Sequence, residues 1–164
     1  MNLIIRRREN DLKKLRELEK KYDFIKIIDV SGNPISEIKI KLNLGLPVNK
    51  EQKGGPFELF IKLPADYPLK SPMFSIKPVV FNPHVFESGN ICTGYKWMPS
   101  NTLDLEVIRI IKLLLLYPEY INSKSPANSQ ALSWFKKNKK KFPLLKLEEI
   151  YKENKSKIQW KEFQ

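Results

Sequence analysis

FELFIKLPADYPLKSPMFSI, residues 57–76, contains two runs of different length around a proline-marked break. In the first, Phe57, Leu59, Ile61 and Leu63 recur at every second position with Glu58, Phe60 and Lys62 between them, the pattern of a strand with one buried face. DYPLKSP then breaks the run, and a short second run, MFSIK, follows it. Upstream, Ile38, Ile40, Leu42 and Leu44 alternate with Lys39, Lys41 and Asn43, and Phe24 to Val30 does so less cleanly. SGNP and NKEQKGGP separate these runs and carry turn chemistry. Four short strands with tight connections predict an antiparallel meander.

The flanks read as helices. From Leu3 to Tyr22, the apolar residues Ile5, Leu12, Leu15, Leu18 and Tyr22 fall at helical spacing among charged residues, which predicts an amphipathic first helix. NTLDLEVIRIIKLLLLYPE predicts a buried central helix, with Asn101 or Thr102 as N-cap, Asp104 and Glu106 near its positive end, and Pro118 at its close. Ser125-Pro126 reads as the cap and first turn of a helix running to about Asn138, and PLLKLEEIYKENKSKIQW as a last amphipathic helix. The expected fold is α+β: one domain over residues 1–164, with helices on one face of the meander. Between strand and central helix, residues 77–101 hold no sustained period, and long irregular segments inside a small domain are usually functional.

Composition narrows the function. With 41% hydrophobic and 29% charged residues, the chain fits a soluble globular protein. Its longest apolar run, IIKLLLLY, is too short to cross a bilayer, and MNLIIRRREN has the wrong order for a secretory signal, so we expect a cytoplasmic protein without membrane partners. A single cysteine excludes an internal disulfide, and one histidine beside it supplies too few soft ligands for zinc. No metal is therefore expected, and with no glycine-rich phosphate loop to cradle a nucleotide, no cofactor either. The net charge of +12 calls for an acidic partner, although lysine-rich coding bias accounts for part of it. The basic residues are spread over both ends with few aromatics interleaved, which argues against nucleic acid.

The one histidine and the one cysteine, His84 and Cys92, both lie in the irregular segment FNPHVFESGNICTGYKWMPS, eight positions apart. Residue types alone leave two readings open: a reactive site, or a turn beside a buried thiol. The surroundings add to this. A first helix, a four-strand meander, the aspartate-Tyr-Pro and Ser-Pro turns of residues 66–72, then GNIC and WMPS before a central helix together resemble a ubiquitin-conjugating enzyme over nearly the whole chain. The order His-Pro-Asn usual in that family is exchanged here to Asn82-Pro83-His84, and CTGYKW is shorter than in the eukaryotic enzymes. In these respects the chain is similar to the bacterial branch of the family, encoded with ubiquitin-like modifiers, activating enzymes and deconjugating peptidases.

The resemblance implies roles. Cys92 would accept a modifier's C-terminal acyl group from an activating enzyme and pass it to an amine of a target protein, with the thiolate as the reactive form. An oxyanion forms during transfer, and one positioned donor lowers such a barrier by roughly 3 kcal/mol. His84, at the position of the family's asparagine, is the expected donor; Asn82 is the alternative, and both could instead serve the backbone of the turn. The family often carries an aspartate beyond the central helix. PEYINSKSPANSQA offers none, leaving Asn122 and Ser123 for the modifier, with Glu119 a weak substitute and Ser125 a helix cap. Tyr95 and Trp97 flank the cleft and could grip the modifier tail or pack in the core. Arg6, Arg7, Arg8, Lys13 and Lys14 lie where the resemblance places docking of the activating enzyme, or on a solvated face. A conjugating-enzyme variant without chemistry, holding a modifier or partner, is the competing expectation.

Overall fold

Residues 37–42 and 57–62 lie antiparallel, with Ile38 opposite Ile61, Ile40 opposite Leu59 and Leu42 opposite Phe57. All six side chains are buried, so a slip of one residue would turn the whole row to solvent. Burying each contributes about 1.5–3 kcal/mol relative to exposure. The computed structural model describes residues 2–138 and 143–150. Along them run α1 (Leu3–Lys21), β1 (Ile25–Ser31), β2 (Glu37–Leu42), β3 (Leu46–Pro47), β4 (Lys53–Gly54), β5 (Phe57–Lys62), β6 (Met73–Lys77), α2 (Leu103–Leu114) and α3 (Ser129–Lys137), with a 3-10 turn at Pro118–Tyr120.

The larger sheet has the order β1-β2-β5-β6, the expected meander. β6 extends the buried row, with Ile76 opposite Leu59 and Phe74 opposite Ile61. The β1 register shifts between Ile27 and Asp29, which is why alternation over 24–30 is imperfect. α2 joins this core through Leu103, Val107, Ile110, Ile111 and Leu114. The fold is α+β, as expected.

Two local expectations are corrected and a third is refined. NKEQKGGP is not a plain turn: β4 lies within it and pairs back with β3, just upstream, as a small hairpin too short to show a period. Thr102 is the N-cap of α2, as expected, and its carbonyl accepts the N–H of Glu106, but its side chain makes no cap bond. Instead Asp11 of α1 accepts the N–H of Leu103 at 3.3 Å, so a carboxylate from another helix sits at the positive end of α2. α3 begins at Ser129 rather than Pro126, because the carbonyl of Pro83 holds the N–H groups of Ala127 and Asn128 outside the helix. Asn128 caps it through a bond from the N–H of Ala131 at 3.0 Å. The expected last helix, residues 143–160, lies partly outside the described residues; 147–150 is helical.

Candidate active site

Past β6 the chain turns through Asn82-Pro83-His84 and returns beside itself, with isolated bridges between Ser75 and Asn90 and between Val85 and Ile91. The return sets Cys92 against His84. The N–H of Cys92 donates to the His84 carbonyl at 2.7 Å, and the His84 ring contacts the Cys92 carbonyl through Nδ1 at 2.8 Å. On the far side of the ring, the main-chain N–H of Asn122 meets Nε2 at 2.9 Å. An amide N–H can only donate, so Nε2 accepts and the ring proton sits on Nδ1, donating to Cys92. Burial pushes the His84 pKa below its usual value; the bond to the Cys92 carbonyl opposes this and nearby Arg109 reinforces it. His84 is thus a neutral staple between the Cys92 segment and the segment after α2.

Asn82 is likewise committed. Its Oδ1 accepts the N–H of His84 at 2.8 Å, and its Nδ2 donates to the Leu113 carbonyl at 3.1 Å. Both residues are buried, with exposures of 0% for Asn82 and 2% for His84. The expected oxyanion donors therefore have their polar atoms engaged inside the turn, and His84 Nε2 carries no proton to donate. The exchanged tripeptide holds the loop.

Cys92 itself is partly exposed. Gly94, two residues on, has φ +74°, and a Cβ there would lie 3.0 Å from His84 Cε1 and 3.6 Å from the Cβ of Asn122. Only glycine lets the two rims of the site approach so closely. Asn122 Oδ1 accepts the N–H of Lys124 at 3.0 Å, while Ser123 is exposed.

Tyr95 and Trp97 are held from below. The Tyr95 hydroxyl donates to the Glu106 carboxylate, and the guanidinium of Arg109 lies 3.3 Å from the Tyr95 ring centroid. Burial raises the Glu106 pKa to about 7, against the opposing pull of Arg109. Trp97 donates through Nε1 to the Pro68 carbonyl at 2.7 Å and tilts against Tyr67, so its indole anchors the loop.

The basic first helix divides. Arg8, 2% exposed, donates to the carbonyls of Ile35, Pro64 and Ala65. Arg7 pairs with Asp11 at 2.8 Å and reaches the carbonyls of Pro99 and Asn101. Asp11 also accepts the Tyr67 hydroxyl at 2.5 Å. These two arginines, expected on a docking face, instead tie α1 to the strand connections and to the entry of α2. Arg6, Lys13 and Lys14 remain exposed. Asp11, Tyr67, Glu106 and Arg109 were not singled out as site residues by sequence reasoning; Glu106 and Arg109 left a weak signal, being charged positions three apart on a largely apolar helix that also carries Asp104 and Lys112.

A family model, ubiquitin-conjugating enzyme, matches residues 7–148. The chain belongs to the ubiquitin-conjugating enzyme family. Over 99 residues it is 33% identical to a probable ubiquitin-conjugating enzyme E2 31 of Arabidopsis thaliana, an alignment covering 58% of this chain and 62% of that relative's length. It also shares its fold with human ubiquitin-conjugating enzyme E2 G1, with a TM-score of 0.54 and 23% identity over 69% of this chain and 98% of the human one. Within the ubiquitin-conjugating enzyme family, the matched residues 7–148 include both rims of the Cys92 turn, the Arg7–Asp11 pair and α2.

Proposed function

We propose that this protein carries the C-terminal acyl group of a ubiquitin-like modifier as a thioester on Cys92, taking it from an activating enzyme and passing it to an amine of a target protein. The observation that carries the reading is the setting of the one cysteine. It is partly exposed, on an irregular segment, with its main-chain N–H and C=O both bonded to His84, in a chain of the conjugating family.

In charging, the Cys92 thiolate attacks the carbonyl of the activating enzyme's thioester; a new C–S bond forms and the old one breaks, releasing the other sulfur as thiolate. In transfer, an amine lone pair attacks the Cys92 thioester and the carbonyl electron pair moves to oxygen. The adduct then collapses: C–N stays, C–S breaks, Cys92 departs with the bonding pair, and the proton of the amine goes to solvent. The bonds that His84 makes to Cys92 hold the main chain still through both steps, so little reorganisation accompanies attack.

Tyr95, with Asn122 and Ser123, flanks the path of the modifier tail, and Trp97 supports that path from below. Arg6, Lys13 and Lys14 form the basic face offered to the activating enzyme, speeding encounter more than tightening it. The exchanged tripeptide and the short CTGYKW interval support a place in the bacterial branch, and that placement would bring with it a cytoplasmic setting and a deconjugating peptidase in the same pathway.

One observation favours a second reading, a partner-binding variant without chemistry: the polar atoms of both Asn82 and His84 are engaged internally. Incubation with ATP, activating enzyme and modifier separates the two. The conjugating reading expects a thiol-reducible adduct; its absence while the activating enzyme is charged would leave only the binding role.

A further inference from the structure

Aminolysis of a thioester puts a negative charge on the former carbonyl oxygen, and a side-chain donor aimed at that oxygen is the largest single aid a protein can give. On the rims of the Cys92 turn, most such donors are occupied. Asn82 Nδ2 bonds Leu113, His84 Nδ1 bonds Cys92, the Tyr95 hydroxyl bonds Glu106, and Trp97 Nε1 bonds Pro68. Thr93 lines a small cavity with Tyr95, Trp97 and Glu106, on the α2 side of the loop.

Asn122 differs. Its Oδ1 is turned to the N–H of Lys124 at 3.0 Å, which fixes the plane of the amide, and its Nδ2 has no hydrogen-bond partner among the described residues. Its main chain is one imidazole away from that of Cys92, because the His84 ring bridges the Asn122 N–H and the Cys92 carbonyl. Its Cβ comes within 3.6 Å of where a Cβ on Gly94 would stand. Asn122 is partly exposed, so a substrate oxygen can reach it.

We infer that the side-chain amide of Asn122 donates to the oxyanion formed when an amine attacks the Cys92 thioester, with His84 as the positioning residue that fixes Asn122 through its main chain. This inference rests on Cys92 as the thioester carrier. The segment after α2 then supplies the donor, and the exchanged Asn82-Pro83-His84 turn supplies its mount.

The test uses the full chain charged with a chemically prepared ubiquitin thioester of 2-mercaptoethanesulfonate, which bypasses the activating enzyme. Charging is run to completion, the excess thioester is removed, and free lysine is added; loss of the adduct is followed on non-reducing gels. Asn122→Asp keeps the size of the side chain and the acceptor for Lys124 but removes the donor. Its discharge to lysine should fall about 100-fold, as should that of Asn122→Ala. Asn122→Gln, which retains a donor, should recover part of the loss. Thermal melts check folding, and if Asn122→Ala melts lower, Asn122→Asp alone decides. Discharge by Asn122→Asp within threefold of wild type overturns the inference while leaving the thioester reading in place. A wild-type protein that takes no adduct from the probe overturns both.

Discussion

The Nε2 atom of His84 accepts the main-chain N–H of Asn122 at 2.9 Å, joining two loops 38 residues apart. Because the opposite nitrogen bonds the Cys92 carbonyl, one neutral imidazole carries the geometry of the cysteine turn.

Removing that ring should loosen the turn. His84→Ala leaves the Asn122 N–H and the Cys92 carbonyl unpaired, at about 1–3 kcal/mol for each group. The pH dependence has a definite sign. The folded-state pKa lies below the unfolded value of about 6.5, so between the two the unfolded chain binds more protons. The contribution of His84 to stability is therefore complete above about pH 6.5 and declines as pH falls below it. Urea titrations of wild type and His84→Ala at several pH values should show their stability difference shrinking on acidification. A constant difference would contradict a neutral, buried ring.

Glu106 should act in the opposite direction. Its folded pKa is raised from 4.5 to about 7, so its contribution is complete below the unfolded value and is lost as pH rises towards neutrality. At about 1.4 kcal/mol per pKa unit, that offset corresponds to roughly 3 kcal/mol. Glu106→Gln cannot ionise, and it should gain on wild type as pH climbs from 4.5 to 7. The effects of Glu106 and His84 overlap near pH 6, so each is read as a difference between variant and wild type.

Within the first helix, charge and role part company. Asp11→Ala takes the carboxylate from the partly exposed Arg7 guanidinium and strands the buried Tyr67 hydroxyl and Leu103 N–H, at about 1–3 kcal/mol for each buried group. Lys13→Ala and Lys14→Ala should stay within about 0.5 kcal/mol of wild type, as exposed sites do. These lysine variants should slow charging by the activating enzyme, with more effect at low salt. Equal stability of Asp11→Ala and wild type in denaturant would remove the cluster from the account.

Much of the fold could be read in the sequence because the rows that alternate there are the rows that pack. Ile38, Ile40 and Leu42 face the core beside Phe57, Leu59 and Ile61, and a period of two carries that information locally. The position of Cys92 before α2 was also legible, from the order of motifs. What was not legible depends on contacts across the chain. Arg8 looks like one more charge in RRREN, yet its partners lie 27, 56 and 57 residues away. The spacing of His84 from Cys92 suggested a donor, and only the approach of Asn122 assigns its tautomer, with the ring proton on Nδ1. The α3 start moved for the same reason: Pro83, not Ser125, decides where that helix can begin.

Trp97 tests whether the lip is anchored rather than mobile. Trp97→Phe keeps most of the ring area but loses the bond to the Pro68 carbonyl, at about 1 kcal/mol. Cys92 modification by a thiol reagent should then speed up, as the loop beyond it samples more open positions. Unchanged labelling with unchanged stability would mean that the indole bond holds nothing in place.

The central claim is that Cys92 is the acyl carrier. Wild type, Cys92→Ser and Cys92→Ala are incubated with ATP, activating enzyme and modifier, and intact masses are recorded before and after reductant. The account predicts an adduct on wild type that reductant removes, a slower-forming adduct on Cys92→Ser that survives reductant, and none on Cys92→Ala. An adduct on Cys92→Ala, or none on wild type beside a charged activating enzyme, would contradict it.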